Sequence, residues 1–509
     1  MEHSKNETKR PPYGIIVILM IGAFIAFLNN TLLNIALPSI MADLEVDAST
    51  VQWLTTGFML VNGILIPTTA FLIQKYSVRK LFLVAMGLFT VGTILAGMAH
   101  VFPVLLTGRM TQAAGSAIMM PLLMNVMLVS FPIEKRGAAM GIFGLVLMGA
   151  PAIGPTLSGW LIENYDWRML FHFVTPIAVI VLLIGFFLLK DKKEKVNIQL
   201  DFLSVLLTSV GFGGLLYGFS SAGKQGWDSP QVYLTIAIGA ISLLVSILRQ
   251  LKQDQPMLNY RIFKFPMFAL SSVISMVLTM AMFSGMLLLP IYVQTVRGIS
   301  PFDAGLMMLP GAIIMALMSP ITGKLFDKFG GRLLAITGLV ITVVTSYLFS
   351  QLTLETTYTQ LLLLFSVRMF GMSMVMMPVS TNGLNQLPAR FYPHGTAMNN
   401  TLQQVSGAIG TALLVTIMAN RTESKAIELG EAAMANLTEQ PTAAALAEMQ
   451  RQILMSATLD GINFAFFVST FIAAVALILA FFMKRAKQAE DNIEENPAGK
   501  KVVNKLVEN

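Results

Sequence analysis

Residues 104–131 read Val-Leu-Leu-Thr-Gly-Arg109-Met-Thr-Gln112-Ala-Ala-Gly115-Ser-Ala-Ile-Met-Met-Pro-Leu-Leu-Met-Asn-Val-Met-Leu-Val-Ser-Phe131. A helix needs roughly 20 apolar residues to cross a bilayer, and this stretch has them. Arg109 nevertheless lies inside it, with Gln112 and Gly115–Ser116 on nearly the same face of a 3.6-residue period. A guanidinium in hydrocarbon costs from about 2.5 to well over 10 kcal/mol, so Arg109 must face protein or a wet cavity. The stretch therefore specifies a membrane helix with a purposeful interior charge.

The rest of the chain fits that reading. Of 509 residues, 55% are hydrophobic and 12% charged, with a mean hydropathy of +0.71; soluble domains carry about 25% charge. Most of the chain is thus solvated by lipid, and an all-α integral membrane protein follows because backbone polar groups must be satisfied internally. The absence of cysteine removes disulfides, thiolate metal sites and cysteine nucleophiles. The polar opening Met1–Arg10 runs straight into a span without an Ala-x-Ala cleavage pattern, which reads as no removed signal peptide.

Hydropathy with Pro, Gly and charge punctuation predicts fourteen spans: 14–37, 51–73, 80–99, 104–131, 137–162, 169–189, 202–220, 231–250, 266–293, 303–323, 333–352, 359–382, 395–420 and 458–483. With the N-terminus inside, 26 of the 34 Lys and Arg residues fall in inner segments, six in outer ones, and two, Arg109 and Arg368, within spans. That bias predicts both termini in the cytoplasm. It also accounts for the basic pI, so nucleic acid is not an expected partner. Short basic turns at 70–81 and 323–333 each follow the second helix of a bundle, pointing to two six-helix halves with a substrate site between them. The expected organisation is a tail (1–13), an N-terminal bundle (14–189), a linker with two additional helices (190–265), a C-terminal bundle (266–483) and a cytoplasmic tail (484–509). The outer loop 421–457, rich in Ala, Glu, Gln and Met, is expected to form one or two short helices, as a solvated connector or a cap on the outer mouth.

Residues 141–160 are loaded with glycine and proline. Gly141, Gly149, Gly154 and Gly159 admit a neighbouring backbone, while Pro151 and Pro155 remove donors and bend the helix. Such a helix can pivot, or pack tightly and statically.

These features together resemble the major facilitator superfamily, specifically its fourteen-helix drug:proton antiporter branch, over roughly residues 14–483. Arg109-x-x-Gln112-x-x-Gly115 resembles the fourth-helix motif associated with proton transfer. The run Gly149 to Gly159 resembles the fifth-helix antiporter motif. Gly323-Lys324-Leu-Phe-Asp327-Lys-Phe-Gly330-Gly331-Arg332 resembles the inner-loop gating motif, and Asn34-Ile-Ala-Leu-Pro38 and Trp167-Arg168-Met-Leu-Phe171 match the branch. The resemblance implies a proton-coupled exporter with an inner gate at Gln74, Lys75, Arg79, Lys324, Asp327 and Arg332, and a hinge at Gly149, Gly154, Pro155 and Gly159.

The chain departs from the pattern in three places. The first gating turn has Ala70, Gln74 and Ser77 where Gly, Asp and Gly are usual, and a Gln lacks the charge-assisted bonds of a carboxylate. Ala113 replaces a glycine. In the first helix, Asn29 stands where the branch has an acidic residue. Proton coupling needs a group whose proton affinity changes between states, yet Glu163, Asp166, Asp201, Asp303, Glu355 and Asp460 all lie at span ends or in loops. Asp303 and Asp460 open spans, where either could face a wet vestibule or cap its helix.

The candidate polar core is therefore Arg109, Gln112, Asn29, Asp303 and Arg368. Arg368, a second buried cation, could attract an anionic substrate or pair with backbone carbonyls and groups such as Gln351 or Gln360. Without an interior carboxylate, neutral or monocationic lipophilic compounds are the expected cargo. The 35 methionines, clustered at 119–127 and 372–377, could repack around varied ligands or simply fill the core. No Gly-x-x-x-x-Gly-Lys-Ser/Thr run and no catalytic constellation within the spans is present. The expected protein is a monomeric secondary exporter of amphipathic small molecules in a bacterial cytoplasmic membrane. It is surrounded by lipid and uses the proton as coupling ion without other cofactor or metal. A dedicated exporter of one metabolite or anionic signal, and a non-transporting sensor on the same fold, are the alternatives.

Overall fold

A computed structural model describes residues 12–46, 48–51, 53–190, 201–435 and 443–487, and the described residues contain helices and no strand. Fourteen of the helices are long and apolar enough to cross a membrane. In chain order they are α1 (Tyr13–Asp43), α2 (Trp53–Lys75), α3 (Val78–Gly97), α4 (Phe102–Ser130), α5 (Arg136–Asn164), α6 (Met169–Leu188) and α7 (Phe202–Gln225). They continue as α8 (Pro230–Lys252), α9 (Pro266–Ile291), α10 (Pro301–Phe329), α11 (Gly331–Phe349), α12 (Tyr358–Ser373, resuming at Met376–Gln386), α13 (Tyr392–Ala435) and α14 (Ala443–Ala480). Local chemistry sets their starts. Ser77, Asp201, Ser300 and Thr357 accept from backbone N–H groups of the first turn, and prolines open α8, α9 and α10 where a missing N–H costs nothing. Gly330, at φ 80°, makes the tight turn between α10 and α11 that a side chain would strain.

Two elements differ from expectation. The twelfth span is not continuous: α12 breaks at Met374–Val375, whose N–H groups bond three residues back, to Gly371 and Met372. Pro378 lies four residues beyond Met374 and cannot donate to its carbonyl, which accounts for the break. The loop 421–457 does not form separate short helices. Instead α13 runs 44 residues and α14 38 residues, so both project past any bilayer at 1.5 Å per residue. The two helices are tied part-way along their length by the Arg421–Asp460 ion pair at 2.6 Å. Residues 436–442 lie outside the described part.

Helices α1 to α6 pack against one another, and so do α9 to α14. The two groups meet along two edges, α5 against α10 and α2 against α13. The α5–α10 edge is a backbone contact. A Cβ added at Gly323 would run into Gly137 O, and one at Gly141 would lie 2.6 Å from Ser319 O. The pair α7–α8 sits outside both groups, and α7 packs on α2 and α13 at once.

Asp201 fastens that pair at the end of the molecule carrying the Lys/Arg-rich turns, the basic end. It accepts from Ser204 Oγ at 2.7 Å, Gln253 Nε2 at 2.5 Å and Arg249 at 3.1 Å. Burial works against the charge, but the donors from Gln253, Ser204 and Arg249 outweigh it and hold the carboxyl below its usual range. A depressed carboxylate contributes stability above its unfolded pKa of about 3.9 and loses it as pH falls through the folded value. Asp201→Asn is accordingly expected to lower the apparent Tm in detergent by a few degrees at pH 7. The gap to the natural protein should narrow once the pH drops below about 4, as read by thermal unfolding across a pH series.

Candidate functional site

Arg109 is 1% exposed and solvated entirely by protein. Its Nη1 donates to Asn29 Oδ1 at 3.0 Å and to Gln112 Oε1 at 2.9 Å, and its Nη2 donates to Asn30 Oδ1 at 3.1 Å. The guanidinium lies 4.5 Å from the centre of the Phe58 ring, a cation–π contact strengthened by desolvation. Gln112 Nε2 passes the network on to Thr93 Oγ1 at 2.8 Å. Small residues make this convergence possible: Gly92, Gly108 and Gly115 place α3 and α4 in backbone contact, so that Cβ atoms there would strike Gly108 O, Ala96 N and Ala85 O in turn. Asn29 thus occupies a carboxylate's place as a neutral acceptor, and its Nδ2 is buried without a partner. The site holds a positive charge among neutral dipoles from α1, α2, α3 and α4.

Arg368 repeats the arrangement in the second group. It is fully buried on α12, the fourth helix of its group as α4 is of the first. It donates to Ser346 Oγ on the third helix at 2.9 Å, and to Ala281 O and Ser284 Oγ on the first at 2.8 and 2.9 Å. Ser469 on α14 extends the chain to Ser284 at 2.8 Å. Neither Gln351, which bonds Ser350, nor Gln360, which caps its own helix, takes part.

Asp303 does not join this core. It sits in the first turn of α10, hydrogen-bonded to the capping Ser300 Oγ at 2.8 Å, so its role in the structure is that of a cap. Asp460 is spent on Arg421. Most methionines of the two clusters fill core: Met119, Met124, Met127 and Met372 are each at most 2% exposed.

The residues expected to form a hinge divide by partner. Gly154 faces α1, where a Cβ would strike Thr31 Oγ1, and Ser158 Oγ donates to Leu32 O at 2.6 Å nearby. Gly149 is in ordinary contact with Phe24, and Gly159 lies against Phe302 of α10. The helix continues through Pro155, whose side chain lies outside the described residues, as do those of Asn34, Ile35 and Pro38. The tightest approach on α5 is lower, at Gly137, Gly141 and Gly144, against α10.

At the basic end the two groups are latched. Asp327 accepts from the N–H groups of Gly137 and Ala138, both at 2.8 Å, a carboxylate set on the positive end of helix α5. Arg136 donates to Asn385 Oδ1 at 3.3 Å and stacks 4.8 Å from the centre of the Tyr392 ring. Among the described residues no ion pair joins Asp327 to Arg332; Arg332 and Lys324 are exposed. Arg79 turns away from the gate to Phe186 O on α6 at 3.1 Å, and Lys75 lies over the Phe71 ring. Gln74 approaches His394 Nε2 at 3.2 Å.

Trp167 and Arg168 tie α6 to the far ends of α1 and α3. Trp167 Nε1 donates to Asp43 Oδ2 at 3.1 Å, and Arg168 pairs with Asp43 at 2.8 Å and donates to Ala99 O. These donors, Trp167 foremost, hold Asp43 below the usual carboxylate range. Asn30, Thr93, Phe58, Arg136, Asn385 and His394 were not singled out from sequence; only Asn30, adjacent to Asn29, carried a local signal.

The Major Facilitator Superfamily sequence profile matches residues 19–411. The chain belongs to the major facilitator superfamily. It is therefore a transporter and not an enzyme. It is 48% identical over 509 residues to the "Uncharacterized MFS-type transporter YhcA" of Bacillus subtilis, with 96% of each chain covered. It is 43% identical to the "Lincomycin resistance protein LmrB" of the same organism over 93% of this chain and 96% of the relative. A more distant relative is the "Multidrug export protein EmrB" of Haemophilus influenzae, 28% identical over 80% of each. Among solved structures, the human organic anion transporter MFSD10 superposes with a TM-score of 0.62 at 14% identity, over 91% of this chain and 100% of that one.

The buried cation supplies a direct check. Arg109→Ala strands the amides of Asn29, Asn30 and Gln112 and is expected to cost on the order of 1–3 kcal/mol for each group left unsatisfied. Arg109→Lys keeps the charge but not the fork that reaches three acceptors, and should fall between. Chemical or thermal unfolding in detergent measures both.

Proposed function

We propose that this superfamily member is a proton-coupled exporter of amphipathic drugs or toxic small molecules across the cytoplasmic membrane of a bacterium, working by alternating access. The observation that carries the reading is the latch at the basic end. Two six-helix groups are held there by backbone contact, by one carboxylate on a helix terminus and by single side-chain hydrogen bonds. Such contacts hold a closed gate yet can be exchanged for water when the groups rock apart. With Lys and Arg concentrated at that end, it faces the cytoplasm, and the structure corresponds to the state closed on the inside.

Cargo follows from charge. No carboxylate accompanies Arg109 or Arg368, so a dicationic drug finds no counter-ion among the described interior residues, and neutral or monocationic lipophilic compounds fit better. The relatives named for lincomycin resistance and multidrug export support that class. Two uncompensated guanidiniums favour, as a second reading, a dedicated exporter of an anionic compound. In it Arg368 would contact the ligand.

Everted membrane vesicles with an acidic lumen test both. Lincomycin and a monocationic lipophilic dye are expected to accumulate in the lumen and to leave when the gradient is collapsed. Gly323→Val, which separates the two backbones at the gate, should reduce uptake at least tenfold. Failure of every neutral, cationic and anionic probe to respond to the gradient would overturn the proposal. Uptake confined to anions and abolished by Arg368→Ala would establish the second reading.

A further inference from the structure

Gln74 closes α2 at the basic end, and the third residue of α13, His394, meets it there. Gln74 Nε2 donates to Ala70 O at 2.9 Å and stands 3.2 Å from His394 Nε2. On the opposite edge of the ring, the backbone N–H of Asn259 donates to His394 Nδ1 at 3.1 Å. Asn259 belongs to the segment that joins α8 to α9. His394 is only 5% exposed, with Phe391 against it at 6.3 Å between ring centres. One imidazole thus ties the first helix group, the second group and the linker between them.

The contacts have a definite polarity. Each ring nitrogen faces an N–H donor. A neutral imidazole has one lone pair to offer and can accept at one nitrogen; an imidazolium carries N–H on both and can accept at neither. The backbone N–H of Asn259 therefore has an acceptor in the neutral ring and none in the cation.

The ionisable groups on the surrounding elements do not compensate. Lys75 on α2, Arg79 on α3, Arg136 at the start of α5, Arg261 and Lys264 in the turn after Asn259, and Arg390 just before α13 are all basic. Tyr260 adds a buried phenol. The carboxylates Glu134, just before α5, and Asp254, just after α8, are exposed, and Asp327 is engaged on α5. Among the described residues no carboxylate bonds to the ring.

We propose that His394 is a proton-operated catch on the inner gate, a role that rests on the alternating-access reading. A proton taken from the cytoplasm at Nδ1 removes the acceptor of the Asn259 N–H and favours the state open at the basic end. Loss of that proton to water lets the ring re-enter and the gate close. The proton returns to the compartment it came from, so the catch sets how internal acidity biases the gate and does not itself carry the coupling proton. Gln74 contributes no negative charge at this point; a carboxylate there would accept the imidazolium Nε2–H and offset part of the cost of the lost Asn259 bond.

The chain has no cysteine, so spin labels can be placed at Glu134→Cys and Lys328→Cys, both exposed, on opposite groups at the basic end. Distances between them are measured in the full-length protein in lipid nanodiscs from pH 8 to pH 5.5. The open-to-closed ratio is expected to rise as the pH falls through the ordinary imidazole range near 6.5, by up to roughly tenfold per unit. His394→Gln should flatten the dependence. Gln74→Glu should weaken the dependence without abolishing it. A ratio independent of pH in the labelled parent, or an unchanged dependence in His394→Gln, overturns the catch while leaving alternating access standing. A single distance under every condition, including saturating lincomycin, overturns both.

Discussion

A guanidinium at the centre of a membrane bundle has to be solvated by the protein, because neither water nor lipid headgroups reach it. That requirement organises the first helix group. Arg109 collects acceptors from α1 and its own helix and a ring from α2. Gln112 extends the shell to α3 through Thr93. For these short polar side chains to reach one point, the helices carrying them must approach more closely than leucine or phenylalanine would allow. The glycines of α3 and α4 answer the same demand. Charge, amides and glycines are one arrangement.

The second group meets the demand with different residues in corresponding places. Arg368 is on the fourth helix, its hydroxyl partner Ser346 on the third and Ser284 with Ala281 on the first. Serine and backbone carbonyl replace the amides of the first group. Among the described residues neither cation has an anionic partner, so each side chain depends on several neutral dipoles. The contact between the groups at the basic end obeys a different rule. There Asp327 spends a full charge on two backbone N–H groups at a helix end, at the boundary where water can replace them.

Much of this was legible in the chain itself. The fourteen spans follow from hydropathy, and Arg109 with Gln112 follows from a three-residue spacing on one helix face. Helix α5 is marked by its glycines, but its backbone contact with α10 lies about two to three turns before Gly149, at Gly141 and Gly137, because their partner Gly323 is far away in sequence. The break in α12 could have been read from Pro378. The continuation of α13 and α14 beyond the bilayer could not, since a water-solvated helix carries no hydropathy signal. Asn29 was noticed as a missing acid; only the fold shows it as a working acceptor. His394 and Gln74 are 320 residues apart, and nothing local in either segment links them.

The seat of α7 gives the molecule an asymmetry with respect to the lipid. It lies along α2 and α13 together, with Phe212 and Leu216 packed beside Val405. Trp227 is fastened to Thr416 on α13 at 2.8 Å, and Tyr217 is stacked on Trp53 of α2. Of the two seams between the helix groups, this one is roofed by α7, and the α5–α10 seam is closed by its own glycines. Under the proposed alternating access, rocking of the two groups would shear α7 against at least one neighbour on the roofed side, while the other side would slide glycine on glycine. The bilayer accordingly sees a two-sided machine with one stiff flank and one slippery one.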